Sequence, residues 1–456
     1  MVFSNITFLF FFLPIVLLFY YAVPLKLKNL VLLIFSLIFY SWGEPKYIWI
    51  MIFSSIIDYT HAIIIDKNRG NIKSKLALIS SIIINLGILF YFKYTDFFID
   101  ISNKLIGTNF ELLGLTLPVG ISFYTFQTMS YSIDVYRGNV KVQKNLLNLA
   151  TYVTLFPQLV AGPIVRYETV SNEIDKRNHS FDLFYEGVCR FIFGLSKKVL
   201  IANNVGIIWA YVKALNYSEL SLLTAWLGII SFALQIYFDF SGYSDMAIGL
   251  GYMFGFNFCE NFNYPYISKS ITEFWRRWHM SLGQWFRDYL YIPLGGNRCN
   301  QSRWILNIFI VWSLTGFWHG AGINFICWGL YFGMILALEK LFISKFMDNK
   351  PNFFKHFYVI TLVLIGWVLF EIESITNIFA YLKAMFFNFK IYDKTFIYLL
   401  IPNSILLLVG LSASTPIYKK ILDNSIIKNI VLIIGLVLSV AFLVDSYFNP
   451  FLYFRF

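Results

Sequence analysis

The stretch 304–338 contains no Asp, Glu, Lys or Arg. As one straight helix it would run roughly 50 Å, against a hydrocarbon core of ~30 Å. That is too long for a single upright crossing and too apolar for a face in water. A break is written into it. "TGFWHGAG" sets Gly316, Gly320 and Gly322 around His319, the one histidine in the stretch. Further runs with little or no charge recur at 6–25, 29–43, 47–65, 76–92, 112–133, 145–165, 199–212, 220–238, 246–258, 357–370, 395–418 and 429–444. The chain is 58% hydrophobic and 13% charged, where a soluble domain has about 25% charged residues. Lipid is its solvent. The expected fold is an all-α polytopic membrane protein with about eleven transmembrane helices by the length rule, plus short re-entrant or interfacial helices. No linker rich in Pro, Gly or Ser divides the 456 residues, so 1–456 reads as one integral membrane domain.

Residues 1–25 carry no charge, and the first bases, Lys26 and Lys28, follow the apolar run. A secretory signal would put its bases first. The run is therefore expected as a retained first helix with Met1 outside, since positive residues prefer the cytoplasm. The net charge of +11 has the same source. Bases gather in short loops, at Lys67, Arg69, Lys73 and Lys75, at Arg137, Lys141 and Lys144, and at Lys419, Lys420 and Lys428. This pattern orients spans and suits anionic lipid, and it offers no soluble basic domain for nucleic acid. Cys189, Cys259, Cys299 and Cys327 lack C-x-x-C spacing and are expected as free thiols. Asp58 and His61 fall inside an apolar run, and His61 is expected as a hydrogen-bonded packing residue. His179 and His356 read as loop or interface residues. No two histidines have metal-ligand spacing, so neither a metal site nor a bound cofactor is expected.

The polar exception is "FWRRWHMSLGQWFRDYLYIPLGGNR" at 274–298. Phe274, Trp278, Leu282, Trp285 and Tyr289 recur every three or four residues. This predicts one amphipathic helix over 272–289 with an aromatic face at the membrane interface. His279 stands one position beyond that stripe. Arginines exceed carboxylates across 259–303, which argues for the cytoplasmic side and would also suit a phosphate-bearing donor. His319 carries the stronger functional signal, because an ionisable group at membrane depth is costly and faces a cavity or a partner. A neutral imidazole can deprotonate a hydroxyl near pH 7. With no G-x-S-x-G and no metal motif, acyl transfer to oxygen is the chemistry that fits. A proton-coupled transporter or glycan-precursor flippase, using His319, Asp239 and Asp245, is the alternative of a different class. A non-catalytic scaffold is a third.

The 274–298 segment and "SLTGFWHGAGINFICWGLYFG" resemble the membrane-bound O-acyltransferase (MBOAT) family, in its bacterial branch of the alginate O-acetyltransferase type. "LPVGISFYTFQTMSYSIDVYRG", "LFPQLVAGPIVRY" and "QIYFDFSGYSDMAIGLG" extend the resemblance over almost the whole chain. It implies a ring of helices around a central tunnel open to both faces. It makes His319, in "WHG", the catalytic residue and His279 its upstream partner. The expected substrate-binding set is Arg276, Trp278, Arg287, Asp288, Asn297, Trp318, Asp239, Ser241 and Asp245. The expected donor is a cytoplasmic acyl thioester, acetyl-CoA above all. The acceptor would be an extracytoplasmic polysaccharide, reached directly or through an esterase-like acetyltransferase partner and proteins of polysaccharide synthesis or export. D-alanyl or other acyl transfer to teichoic acid or peptidoglycan is the alternative within the family. "YIPLGGNR" after "WFRD" favours acetyl transfer. The expected location is the bacterial inner membrane.

Overall fold

The computed structural model describes residues 1–160, 162–418, 424–445 and 452. Lys419 and Lys420, two of the bases assigned above to orientation, lie outside the described residues. Every regular element among them is helical. Among the described residues nine helices are long and apolar enough to cross a membrane, and Phe8–Ala22 and Ile375–Phe387 are shorter apolar helices. The chain is thus an all-α polytopic membrane protein.

Several apolar runs differ from the helices they form, for local reasons. The runs 220–238 and 246–258 belong to one helix, Leu222–Met253. The run 145–165 contains two short helices, Leu146–Thr154 and Phe156–Leu159, the second started by Pro157. The run 112–133 stays irregular up to Gly120 and then forms Ile121–Arg137, whose buried side chains include Ser122, Thr125, Gln127, Thr128, Ser130, Ser132 and Asp134. Such a helix is packed among protein neighbours rather than lipid. The long stretch breaks where its glycines predicted, into Gln301–His319 and Ile323–Leu338.

The chain divides into two compact units. One comprises Met1–Ile192 with Tyr243–Cys259, the other Phe193–Gly242 with Glu260–Phe456. In the first, Phe3, Phe8, Phe39 and Phe156 pack ring to ring, with centroids 5.0 Å apart for Phe3 and Phe8 and 5.4 Å for Phe39 and Phe156. Buried Asp58 in this unit accepts hydrogen bonds from Ser81 at 2.5 Å, Asn85 at 2.8 Å and Ser132 at 3.0 Å. His61 is satisfied as expected, with Nδ1 2.7 Å from the Ile57 carbonyl and Nε2 3.0 Å from Ser80 Oγ. In the second unit a continuous core includes Trp209, Phe232, Phe274, Trp278, Trp328, Trp367 and Tyr381. Both candidate histidines, 279 and 319, belong to this unit. All four cysteines are free thiols.

Candidate active site

His319 is the last residue of Gln301–His319, where the chain turns back into Ile323–Leu338. The two helices meet through glycine. A Cβ on Gly316 would overlap the Phe325 carbonyl oxygen, and one on Gly329 would overlap the Trp312 carbonyl oxygen. Any larger residue at either position must push backbone apart. A Cβ on Gly320 would overlap the Phe325 ring in the same way. The hairpin leaves His319 4% exposed, walled by Trp318 and Trp328 at 5.1 Å and Phe370 at 5.3 Å between ring centroids. The indole nitrogen of Trp328 is buried with no hydrogen-bond partner among the described residues. A buried donor left in that state is expensive unless something else accepts from it.

The predicted single helix over 272–289 is corrected. The chain forms Ile271–Arg277 and Met280–Phe286, broken at His279, which takes a left-handed backbone (φ 44°, ψ 54°). The first of these short helices is fixed by several partners. Ser270 caps it by accepting the Glu273 N–H at 3.0 Å, and Glu273 in turn accepts the Lys269 N–H at 2.8 Å. Buried Glu339 accepts the Ile271 and Thr272 N–H groups at 2.6 and 2.9 Å. The aromatic stripe is also corrected. It is not a headgroup belt, because Phe274, Trp278, Leu282 and Trp285 are all buried. Trp278 packs against Phe274 at 5.6 Å and Trp367 at 4.8 Å.

The break turns His279 inward, 3% exposed, with the Phe240 ring at 4.6 Å and the Trp318 ring at 6.0 Å. Trp318 therefore touches both histidines. Asn261 holds the turn. Its carbonyl accepts the Met280 N–H at 2.9 Å, and its Oδ1 accepts from Ser281 Oγ at 2.9 Å and Ser281 N at 3.3 Å. A backbone N–H needs an acceptor, so that atom is the amide oxygen. His279 Nδ1, 3.0 Å from the same oxygen, must then carry the proton and donate it. The tautomer is thereby set, and Nε2 keeps its lone pair. Burial pushes the imidazole down to about 3, so it is neutral near pH 7. A neutral His279 in this tautomer accepts a hydrogen bond at Nε2. It can orient a hydroxyl, but it cannot donate to an oxyanion.

The other predicted residues fall in separate places. Arg276 and Asn297 are exposed. Asp288 braces exposed Arg287 with a two-pronged contact, Nε to Oδ1 at 2.6 Å and Nη2 to Oδ2 at 3.2 Å. Asp239 is buried, pairs with Lys198 and accepts the Leu452 N–H at 2.8 Å. The Ser241 hydroxyl is buried with no hydrogen-bond partner among the described residues. Asp245 lies in the first unit, paired with Arg190 at 3.0 Å. His179 and His356 also have partners, at Tyr20 and at the Ser268 carbonyl. Sequence reasoning missed Asn261, Glu339, Trp328 and Phe370. Only the cap was signalled locally, by Ser270-x-x-Glu273.

The sequence profile of the membrane-bound O-acyltransferase family matches residues 141–382, and the chain belongs to that family. It is similar to the "Probable alginate O-acetylase AlgI" of Pseudomonas aeruginosa, 43% identical over 85% of this chain and 75% of that protein. The peptidoglycan O-acetyltransferase of Helicobacter pylori is 35% identical over 84% of this chain and 80% of its own length. The teichoic acid D-alanyltransferase of Bacillus subtilis is 31% identical over 49% of this chain and 59% of its own. The chain is a membrane O-acyltransferase that uses an acyl donor, a multi-pass protein of the bacterial inner membrane. This replaces the scaffold alternative and the transporter one, whose carboxylates Asp239 and Asp245 form ion pairs with Lys198 and Arg190.

Proposed function

We propose that the chain moves an acetyl group from a cytoplasmic thioester, acetyl-CoA, toward hydroxyls of an extracytoplasmic polysaccharide. His319 is the general base. It takes the proton of the acceptor hydroxyl as the oxygen attacks the thioester carbonyl. The tetrahedral intermediate then collapses, the C–S bond breaks, and the imidazolium gives its proton to the leaving sulfur, releasing the free thiol and restoring neutral His319. His279, neutral and accepting at Nε2, orients the incoming hydroxyl. The buried Trp328 N–H polarises the carbonyl. Arg287, braced by Asp288, and Arg276 lie at the donor entrance, where guanidinium suits phosphate. Trp278, Asn297, Asp239 and Ser241 shape or support the path. The whole chain acts as one acyltransferase domain with a tunnel open to both faces. The acceptor is reached directly or through an esterase-like acetyltransferase and polysaccharide synthesis or export proteins.

The observation that carries this reading is the pairing of His319 and His279 across Trp318, both buried in one unit. Acetyl transfer is preferred over D-alanyl transfer because the acetylating relatives match over most of this chain and the D-alanylating one over half. The test is acetyl-CoA turnover by purified protein in detergent, with a soluble oligosaccharide as acceptor. Release of free CoA that depends on His319 is expected. Intact acetyl-CoA throughout would contradict the donor assignment.

A further inference from the structure

Within the first unit, basic side chains converge without a counter-ion among the described residues. Lys28 and Arg177 are each 7% exposed. Lys28 Nζ lies over the Tyr20 ring at 4.4 Å and the Tyr21 ring at 4.8 Å. Arg177 lies over Phe256 at 4.5 Å. Its Nη2 donates to Asn29 Oδ1 at 2.6 Å, while Nε and Nη1 are buried with no hydrogen-bond partner among the described residues. His179 completes the group, with Nε2 2.9 Å from Tyr20 Oη and 3.4 Å from Lys28 Nζ.

The hydrogen-bond directions leave Lys28 without an acceptor among the described residues. Tyr20 has one hydroxyl proton, and it goes to the Phe254 carbonyl at 2.6 Å, since that oxygen can only accept. The contact to His179 then requires Nε2 to be the donor. A protonated Nε2 cannot accept from Lys28. Neither Lys28 nor Arg177 forms an ion pair among the described residues. Glu173 acts on Arg177 only through space, because its oxygens accept from Asn257 N at 3.0 Å and Asn257 Nδ2 at 2.7 Å. Asp175 accepts from Asn148 at 2.9 Å and Gln143 at 3.4 Å. Burial, with Lys28 and Arg177 beside it, pushes His179 down to about 4, so it is a neutral N–H donor at pH 7.

The pocket is built closely. Gly255 has φ +80°, and a Cβ there would lie 3.1 Å from the Asn178 carbonyl, 3.3 Å from His179 Nε2 and 3.4 Å from Arg177 Cβ. Glycine thus lets the 177–179 loop close over the bases. Lys26, Lys176 and Asn178 are exposed on the flanks. Buried cations without an anion are costly, and a bound anion removes that cost. Guanidinium matches the oxygens of a phosphate, and the ammonium adds a point charge.

We propose that Lys28, Arg177 and His179 form a phosphate site separate from the acyl-transfer histidines. It takes either the phosphate of an anionic phospholipid headgroup or a free phosphate. Its place, where Phe8–Ala22 gives way to Leu25–Gly43, is the end of an apolar helix, the level at which headgroups lie.

Native mass spectrometry of the purified protein, exposed to equal phosphatidylglycerol and phosphatidylcholine, reads the first source. Thermal unfolding in lipid-free detergent, titrated with inorganic phosphate against chloride of equal ionic strength, reads the second. The expected result is a preference for phosphatidylglycerol of about tenfold or more, or a rise in melting temperature with phosphate. Either response should fall in Lys28→Gln and Arg177→Gln and persist in Lys67→Gln, a base elsewhere on the surface. A lipid preference without a phosphate response assigns the site to headgroups, and a phosphate response in lipid-free micelles assigns it to the free ion. Should the pocket variants fail to fold, the wild-type titrations decide. No lipid preference together with no phosphate shift overturns the proposal, as does a response unchanged in both folded pocket variants.

Discussion

His279 stands in a left-handed turn pinned by the hydrogen bonds that it and Ser281 donate to Asn261, whereas His319 ends a helix between rings and glycines. The polar mount decides chemistry, because it fixes which ring nitrogen carries the proton. The apolar mount decides position, because rings and close-packed glycine backbone wall the imidazole in. A non-glycine residue at positive φ costs on the order of 1 kcal/mol. That cost is tolerated where the surrounding hydrogen bonds require the turn, and here they aim an imidazole at the Trp318 ring that His319 also touches.

The contrast can be broken from either side. Gly329→Ala should have the largest effect. Its Cβ meets the Trp312 backbone, so overpacking of about 1–3 kcal/mol or more is expected. Folded yield in size exclusion and acyl transfer should fall together. Trp328→Phe keeps a ring beside His319 and removes only the N–H. A loss of about 10²-fold in kcat, with little change in KM, is expected for an oxyanion donor. Unchanged kinetics would reduce Trp328 to packing.

Asn261→Ala frees the His279 tautomer and should lower kcat by about 10- to 10²-fold, within the range for a positioned proton-transfer group. Asn261→Asp sharpens the point. A carboxylate there stabilises imidazolium and raises the His279 pKa from about 3. Activity needs the neutral ring, so the acid limb of the kcat/KM profile should move to higher pH, with activity lost below the raised pKa. An unmoved profile would separate His279 from the reaction. The smallest effect is expected at Arg287→Ala, on an exposed side chain. KM for acetyl-CoA should rise a few-fold at unchanged kcat if the contact is uniform binding.

These mounts were unequally legible in the sequence. His319 could be read because a charge-free run too long for one crossing must break, and its glycines marked the place. His279 could be singled out because it fell beside the aromatic stripe. The helix over 272–289 misled because the three-and-four spacing continues across Trp278, while the residue that breaks it, Asn261, lies 18 positions upstream. The same stripe suits a headgroup belt or a core equally well. Trp367 and Tyr237, distant in sequence, make it a core. Glu339 was silent for that reason too, since a carboxylate ending an apolar helix gives no sign that it will cap another.

The central claim is that His319 is the base. The direct measurement is acetyl transfer by purified His319→Ala in detergent, alongside its thermal unfolding. A fall of about 10²–10⁴-fold in transfer, with a melting temperature close to that of the wild type, is the predicted result. A well-folded His319→Ala protein that still transfers acetyl at the wild-type rate would contradict the account.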